Sequence, residues 1–306
     1  MNRRELLRIL ALTGALSFCG CAAHSLRRFI PLVSKDVGPE GGEDIAEVQA
    51  PPEPQVQMTP GEATEALLKD MRAKSLYYSR DFPDDIYFTG RKFELLKNLV
   101  HKFRAVQRHV GFGHFNLLSM DEFFRLARYA AGSSPLTAEE KNFLEEVFYF
   151  DARKYGFQGE KVAHTLTDVI PKNSVVKVPY TGHYLRKGPS LETYERIRKD
   201  VGDTIILTSG ARGIAKQYHL FFEKGLETKG NMSKASRSLA PPGYSFHGLA
   251  DFDVGRRDFG LHNFTERFAT TEEYKKLVHL GYIEIRYTES NLLGVRFEPW
   301  HIKVEI

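Results

Sequence analysis

The stretch PPGYSFHGLADFDVG, residues 241–255, carries the strongest structural signal in this chain of 306 residues. Its end, DFDV, is typical of a β-strand that places Asp251 and Asp253 on one face, because side chains two positions apart point to the same side of a strand. His247 lies shortly before this strand. A second stretch, FEPWHIKV at residues 297–304, places a glutamate three residues before a histidine. Together the two stretches predict strands of one sheet that carry acidic and histidine side chains.

These stretches supply five side chains that suit a metal ion: His247, Asp251, Asp253, Glu298 and His301. A catalytic zinc ion takes three nitrogen or oxygen ligands from the protein, keeps a fourth position for water, and needs a nearby carboxylate to accept a proton from that water. Two histidines and one aspartate would leave the ion with one net positive charge. Glu298 would then be the general base and not a ligand. The residue types therefore predict a catalytic zinc site.

The spacing of Glu298 and His301 sets a geometric condition. On a regular strand, residues three apart face opposite sides of the sheet, so these two side chains could not share one site. Pro299 lies between them, and proline is typical of strand edges and bulges because it cannot donate to a ladder. We expect an irregularity at Pro299 that brings both side chains together, with Trp300 packed as a wall of the site.

The first half of the chain has helical periodicity. Apolar residues recur at spacings of three and four, at Phe93, Leu96, Val100 and Phe103. The sequences SMDE at 119–122 and TAEE at 137–140 are capping-box patterns that open further apolar-periodic runs. We predict a helical subdomain at residues 59–165 that carries no chemistry of its own.

After Pro171 the periodicity becomes that of strands. Strand candidates are SVVKVPY, TIILTS, YIEIRYTES and LGVRFEPWHIKVEI, and GIAKQYHLFFEKGL is a helix candidate. The predicted fold class is therefore α+β. Residues 166–306 would form the catalytic domain, a small antiparallel sheet with flanking helices, preceded by the all-helical subdomain. All candidate site residues fall in this C-terminal domain.

The N-terminus has the features of an export signal. The basic sequence MNRRELLR precedes an apolar run, Ile9–Phe18, that is too short to span a bilayer. Cys19 and Cys21 follow, and LSFCGCAA resembles a bacterial lipoprotein processing site. We predict a signal peptide of the lipoprotein type at residues 1–21 and a tether rich in Pro, Gly and Glu at residues 22–58. The alternative is an uncleaved anchor. Either would place the protein in a bacterial cell envelope, exported to the periplasm or attached to the membrane.

The charge balance excludes one class of partner. The formal net charge is only +4, and five arginines within the first 28 residues account for most of this excess. A basic face on the folded part is therefore not indicated, and we expect no nucleic-acid partner.

Three motifs resemble those of the zinc D-alanyl-D-alanine carboxypeptidases and dipeptidases. PGYSFHGLADFDV resembles the SxHxxGxAxD motif of that family, and FEPWHI resembles the EPWH motif that closes its catalytic domain. ILTSGARGIAKQ, residues 206–217, resembles the SGYRS segment with its following glutamine. The resemblance covers about residues 200–306. It implies the small antiparallel sheet with flanking helices that this family shares with the Hedgehog signalling domain.

The resemblance also implies a role for each matching residue. The zinc ligands would be His247, Asp253 and His301, the general base would be Glu298, and the substrate contacts would be Arg212, Gln217 and Ser245. One departure concerns the loop after His247. The family has six residues between this histidine and the aspartate, whereas five precede Asp253 here and three precede Asp251. Val254 favours Asp253 because a valine follows the aspartate in the family, while Asp251 is the alternative ligand or a support for one.

The function implied is that of an exported zinc metallopeptidase that hydrolyses peptidoglycan stem peptides, as a D-Ala-D-Ala carboxypeptidase. Arg212 suits this substrate, because a planar guanidinium binds a free carboxylate through two parallel hydrogen bonds. An endopeptidase that cuts crosslinks is one alternative. A non-catalytic peptidoglycan-binding module is another, if the shortened loop after His247 has spoiled the metal site.

Overall fold

The computed structural model describes residues 60–306, and for residues 60–63 it describes the backbone alone. The signal peptide and tether predicted for residues 1–58, including both cysteines, lie outside the described residues. None of the helices in the described part combines the length and the apolar character needed to cross a bilayer. The N-terminal predictions therefore stay predictions.

A four-stranded antiparallel sheet forms the centre of the C-terminal half, which confirms the predicted α+β class. The strands are β3 (Ile205–Ser209), β4 (Phe252–Arg256), β5 (Glu284–Ile285) and β6 (His301–Lys303). They are ordered β3-β4-β6-β5 across the sheet. A separate hairpin is made of β1 (Val175–Lys177) and β2 (Tyr184–Arg186).

The two C-terminal strands are shorter than their sequence patterns predict. Only two residues of YIEIRYTES and three of LGVRFEPWHIKVEI are strand. Gly294 interrupts the second pattern with a φ of +74°, and any Cβ there would lie 1.9 Å from the carbonyl oxygen of Gly156. A turn at Pro299 and Trp300 then precedes β6. The alternating residues before this turn have irregular backbone. Gly294 turns the chain close to Gly156, and Pro299 has no amide hydrogen to donate to a neighbouring strand.

The helices cover the sheet and build the first half of the chain. They are α1 (Pro60–Leu76), α2 (Gly90–Val110), α3 (Phe112–Phe115), α4 (Met120–Leu126), α5 (Ala138–Tyr149), α6 (Pro189–Val201), α7 (Ile214–Glu227), α8 (Met232–Ser236) and α9 (Glu272–His279). Both predicted capping boxes are present, with the side chains of Ser119 and Thr137 accepting from the backbone amides of Glu122 and Glu140. The cap residues thus fix where α4 and α5 begin.

The two faces of the sheet have different surroundings. Leu207 of β3 and Val254 of β4 are paired, and both belong to the apolar core beneath the sheet. Asp253 is the next residue along β4 and therefore points to the opposite face. This alternation places apolar residues against the core and the acidic residue on the face where the site lies.

A second apolar core links the first half of the chain to the second. Phe103 of α2 stacks on Phe123 with ring centroids 4.0 Å apart, and it also stacks on Tyr218 of α7 at 6.2 Å. Tyr218 packs edge-on against Phe222, 5.3 Å away. We call these four residues the aromatic cluster. The cluster packs α7 of the C-terminal region against α2 and Phe123 of the helical region.

The hairpin is docked onto the turn that connects β3 to α7. The backbone amide of Ala211 donates to the carbonyl oxygen of Tyr184 at 2.7 Å. Gly210 lies so close that a Cβ would fall 2.0 Å from the same oxygen. Only glycine fits at this position, and the contact fixes β2 beside the segment that leads into Arg212.

Candidate metal centre

Three side chains from two strands and a short helix converge on one point. Asp253 of β4 and His301 of β6 are direct partners in the antiparallel ladder, so their side chains share a face. His247 joins them from a 3₁₀ helix, Phe246–Gly248. Nε2 of His247 and Nδ1 of His301 each lie 3.3 Å from Oδ1 of Asp253. All three residues are buried, and their ligand atoms lie within 4.8 Å of one another.

The other polar atoms of the trio are occupied by the protein. Nδ1 of His247 donates to the carbonyl oxygen of Gly210 at 2.9 Å, which leaves Nε2 with its lone pair toward Asp253. Nε2 of His301 donates to Asp251 at 2.9 Å, which directs Nδ1 toward Asp253. Such partners fix the tautomer and ring orientation of metal-binding histidines.

The two carboxylate oxygens of Asp253 show whether the site suits a metal ion. Its Oδ2 accepts from Nη2 of Arg212 at 2.6 Å. Its Oδ1 is buried and has no hydrogen-bond partner, an arrangement that is costly unless another group satisfies it. This oxygen lies 3.3 Å from Nε2 of His247 and 3.3 Å from Nδ1 of His301. Two nitrogens and one carboxylate oxygen form the donor set that zinc prefers in catalytic sites, so the residues present fit this ion.

Asp251 is bound elsewhere. Its carboxylate accepts from Nη2 of Arg286 at 3.0 Å, from the backbone amide of Val304 at 2.9 Å, and from His301. The structure therefore places Asp253 between the two histidines and Asp251 behind His301. The shortened loop after His247 does not separate the trio, so the reason for expecting a degenerate site is absent.

Glu298 reaches the centre through the turn at Pro299. The backbone amide of His301 donates to the carbonyl oxygen of Glu298 at 3.1 Å, closing a turn over Pro299 and Trp300. Oε2 of Glu298 lies 3.6 Å from Nδ1 of His301. The proline-dependent irregularity expected from the sequence is thus where Glu298 and His301 come together.

The wall of the site is a different aromatic residue from the one expected. Trp300 packs into the core beneath the sheet, with Phe264 at 6.2 Å between ring centroids. The ring that packs edge-on against His301 is Tyr287, at 4.9 Å. Trp300 therefore belongs to the core and not to the metal centre.

The two histidines have opposite electrostatic environments. Burial and the cation of Arg212 lower the pKa of His247 to about 4. Burial also opposes a charge on His301, but the hydrogen bond to Asp251 and the carboxylates of Glu298 and Asp253 outweigh it and raise its pKa to about 9. These surroundings favour the protonated form of His301 at neutral pH and the neutral form of His247. A metal ion that binds here must displace this proton.

The predicted substrate contacts lie next to this centre. Arg212 is held by Asp253 and by the hydroxyl of Ser209, to which its Nε donates at 2.9 Å. The amide of Gln217 donates to the carbonyl oxygen of Arg212 at 3.0 Å and accepts from the amide of Gly243 at 2.9 Å. Ser245 is buried at the start of the helix that carries His247. Their roles toward a substrate remain predictions.

Sequence reasoning missed two residues of the centre, Arg286 and Tyr287. Both lie in the irregular segment after β5, and both contact the residues around His301. Their alternation in IEIRY carried a strand signal but no sign of their partners, because contacts between positions this far apart in the chain arise only on folding.

This centre is that of a zinc-dependent metallopeptidase. Residues 190–304, which include the trio and Glu298, match the family model described as VanY, D-alanyl-D-alanine carboxypeptidase. The match confirms the resemblance to this family that the motifs indicate. The helices before residue 190 lie outside the match.

Two solved structures are similar to this chain. One is the vancomycin-resistance D,D-pentapeptidase VanY from a VanB-type resistance cassette, a Glu-to-Ala variant in complex with Zn(II). It is 24% identical, with 44% of this chain and 82% of that chain covered and a TM-score of 0.33. The other is VanYB in complex with D-alanine-D-alanine, at 25% identity, coverages of 44% and 80%, and a TM-score of 0.33. No curated protein matches this chain.

Proposed function

We propose that this protein is an exported carboxypeptidase that removes the terminal D-alanine from peptidoglycan stem peptides. The observation that carries this proposal is the buried oxygen of Asp253, which has no hydrogen-bond partner and faces Nε2 of His247 and Nδ1 of His301 beside Glu298. The family match of residues 190–304 supports the substrate class.

The residues of the centre divide the chemistry among them. A zinc ion held by His247, Asp253 and His301 would supply Lewis-acid polarisation of the scissile carbonyl and acidify water. Glu298 takes a proton from the attacking water and later gives it to the leaving amine. Asp251 keeps His301 in the tautomer whose Nδ1 faces the site. Arg212, held in place by Ser209 and Asp253, orients the substrate.

An endopeptidase is the second candidate, and one feature favours it. A groove of about 1040 Å³ runs along the hairpin and β3, and Ile206 and Thr208 line it. Ile206 pairs with Gly255, two residues from Asp253, so this part of the groove lies on the same face of the sheet as the metal centre. Its volume is ample for a peptide longer than a single stem.

A product assay tests these alternatives. The full chain, loaded with zinc, is incubated with a pentapeptide muropeptide and with a crosslinked dimer, and the products are identified by mass spectrometry. We expect loss of one alanine from the pentapeptide and an intact dimer. Conversion of the dimer to monomers would favour the endopeptidase, and two unchanged substrates in the presence of one bound zinc would contradict both.

Export and membrane attachment are part of the same proposal. They rest on the basic and apolar segments of the first 18 residues and on Cys19 and Cys21. Expression in a bacterial host with labelled fatty acid should label the wild-type chain. Cys21→Ala or Cys19→Ala should abolish labelling, according to which cysteine is processed. An unlabelled wild-type chain in the cytoplasmic fraction would contradict attachment and export.

A further inference from the structure

Two hydrogen-bond donors near the metal centre have no acceptor in the protein. One is the ammonium of Lys216, the third residue of α7, and the other is the ring of His183, which directly precedes β2. Among the described residues, no carboxylate lies within 4.0 Å of Nζ of Lys216 and no hydrogen bond reaches it. This nitrogen lies 6.0 Å from the centroid of the Phe115 ring. Both side chains therefore have hydrogen-bonding capacity left for a ligand.

Lys216 carries its charge at an unfavourable place. Burial and the cation of Arg212 lower its pKa to about 8. It also lies in the first turn of a helix, where the macrodipole is already positive and cations are disfavoured. The carboxylate of Glu223, which attracts Lys216 from further along α7, is bound by Arg104 at 2.6 Å. A cation that local electrostatics disfavour, and that has no paired counter-charge, indicates a site for an anion.

His183 presents one N–H group that the protein does not use. The side-chain amide of Asn116 donates to the carbonyl oxygen of Gly182 at 3.2 Å, and the same nitrogen lies 3.4 Å from Nδ1 of His183. With Nδ1 as the acceptor, the proton of the neutral ring is on Nε2. Burial and the cations of Arg212 and Lys216 keep the ring neutral, because they lower its pKa to about 4. Nε2 has no hydrogen-bond partner among the described residues.

The two donors lie beside the metal centre. Asp253 and His247, two of the candidate zinc ligands, both affect the protonation of His183 through their charges. Arg212 affects the protonation of both donors. Its own counter-charge is Asp253, at 2.6 Å. Lys216 therefore adds a positive charge next to the centre that no carboxylate of the described residues pairs.

Part of this arrangement lies outside the segment that matches the D-alanyl-D-alanine carboxypeptidase model. That segment is residues 190–304, whereas Asn116 and His183 belong to the preceding helices and hairpin. The backbone carbonyl of Asn116 accepts from the amide of Gly213 at 2.7 Å, so Asn116 fixes His183 to the start of α7. The two donors are therefore suited to a part of the substrate beyond its D-alanine end.

We propose that Lys216 and His183 bind a carboxylate of the stem peptide on the amino-terminal side of its two D-alanines. An ammonium and an N–H group together can donate to both oxygens of one carboxylate, and this charge-assisted pairing satisfies the cation as well. Two positions of a stem peptide offer such a group: the side chain of a dicarboxylic third residue, and the α-carboxylate that a γ-linked glutamate leaves free at the second. This inference rests on the proposed function and deepens it, because it makes an acidic stem peptide the substrate.

Four pentapeptides test the inference on the zinc-loaded full chain. They share a free C-terminal carboxylate and differ only upstream, where both carboxylates are free, the third-residue group is amidated, the second-residue group is amidated, or both are amidated. Release of D-alanine gives kcat/KM for each peptide. The wild-type chain should prefer the first peptide over the last by about 10- to 100-fold, the range expected for a charge-assisted hydrogen bond. The two singly amidated peptides show which carboxylate is bound, and the C-terminus cannot cause the difference because all four peptides share it.

Variants of the two donors assign this preference to them. Lys216→Met keeps an unbranched side chain without its charge and should remove most of the preference, and Lys216→Arg should restore part of it. His183→Phe keeps a ring without the donor and should weaken the preference. Lys224→Met removes a cation on the same helix that is already paired with Glu227, and it should leave the preference unchanged. Elemental analysis should give the wild-type zinc content for every variant.

The contrary outcomes are separable. If the wild-type chain cleaves all four peptides equally well, the carboxylate subsite is overturned and the proposed function stands. If a preference exists but survives both Lys216→Met and His183→Phe at full zinc content, the roles of these two residues are overturned. If the zinc-loaded wild-type chain cleaves none of the peptides, the proposed function itself fails. The comparison of peptides on the wild-type chain needs no variant, so a variant that fails to fold does not prevent the test.

Discussion

The aromatic cluster and the metal centre are both buried, yet they are held together for different reasons. The cluster joins Phe103 and Phe123 to Tyr218 and Phe222, and burying each such ring is favourable by about 1.5–3 kcal/mol. The centre instead buries carboxylates and imidazoles, whose desolvation is unfavourable unless they are paired. The cluster can therefore stabilise the fold by itself. The centre contains a buried oxygen, Oδ1 of Asp253, that has no hydrogen-bond partner and that a bound cation would satisfy.

Within one compact unit, the cluster therefore contributes stability and the centre contributes chemistry. A change in the cluster should alter the free energy of unfolding and leave zinc binding intact. A change in the centre should mainly alter zinc binding or turnover.

The largest effect is expected for Glu298→Gln. The variant keeps the shape of the side chain but cannot accept a proton, so turnover of the pentapeptide should fall by about 10²- to 10⁴-fold. Zinc content should stay at the wild-type value, because the trio is untouched. Steady-state kinetics and elemental analysis measure both quantities. Glu289→Gln, at an exposed position, is the matched control, and undiminished turnover of Glu298→Gln would exclude it as the base.

Phe103→Ala tests the other side of the comparison. The residue is fully buried and stacks on two rings, so its truncation should lower the free energy of unfolding by about 3–5 kcal/mol. Denaturant unfolding monitored by circular dichroism measures the change. Phe112→Ala removes a ring that is 70% exposed and should have little effect. A loss of zinc from folded Phe103→Ala would show that the two regions are not separable.

Asp251→Asn tests how the centre is positioned. The carboxylate holds His301 from behind and also contacts Arg286, so the affinity for zinc should fall by about 10- to 100-fold. Competition with a chromogenic chelator gives the dissociation constant. Asp258→Asn changes an exposed aspartate just beyond β4 and should leave zinc affinity unchanged. An unaltered affinity in Asp251→Asn would remove its positioning role.

The smallest effect is expected for a change of one pH unit on the affinity for zinc. His301 has its pKa raised to about 9, so the metal-free chain carries a proton there below pH 9, and zinc must displace it. The apparent affinity should therefore rise about tenfold per pH unit between pH 6 and pH 8. Calorimetry in two buffers of different ionisation enthalpy should show about one proton released per zinc. No proton release at pH 7 would contradict this assignment, and the exposed His262→Gln should not change it.

The sequence predicted most of the centre because the relevant signals are local. The spacing of histidine and acid in residues 247–253, and the position of Pro299 between Glu298 and His301, are properties of short segments. These signals predict which residues form the metal centre. The helical periodicity around Phe103 is local in the same sense, and α2 lies where it predicts.

The sequence is misleading where apolar and polar residues alternate but the backbone cannot form the hydrogen bonds of a β-ladder. The stretch before β6 alternates like a strand, but Gly294 approaches Gly156 too closely for a side chain, and Pro299 lacks the donor that a ladder needs. The neighbours of Trp300 in sequence predict that it forms a wall of the site, but its ring packs into the core.

By itself the sequence determined the α+β class and the chemical set of two histidines, one aspartate and a glutamate, because residue type and short spacing are written in the chain. Only the tertiary structure distinguishes Asp251 from Asp253, which are two residues apart in the chain. Folding brings Arg286 and the amide of Val304 to Asp251, and it brings one ring nitrogen of each histidine to Asp253.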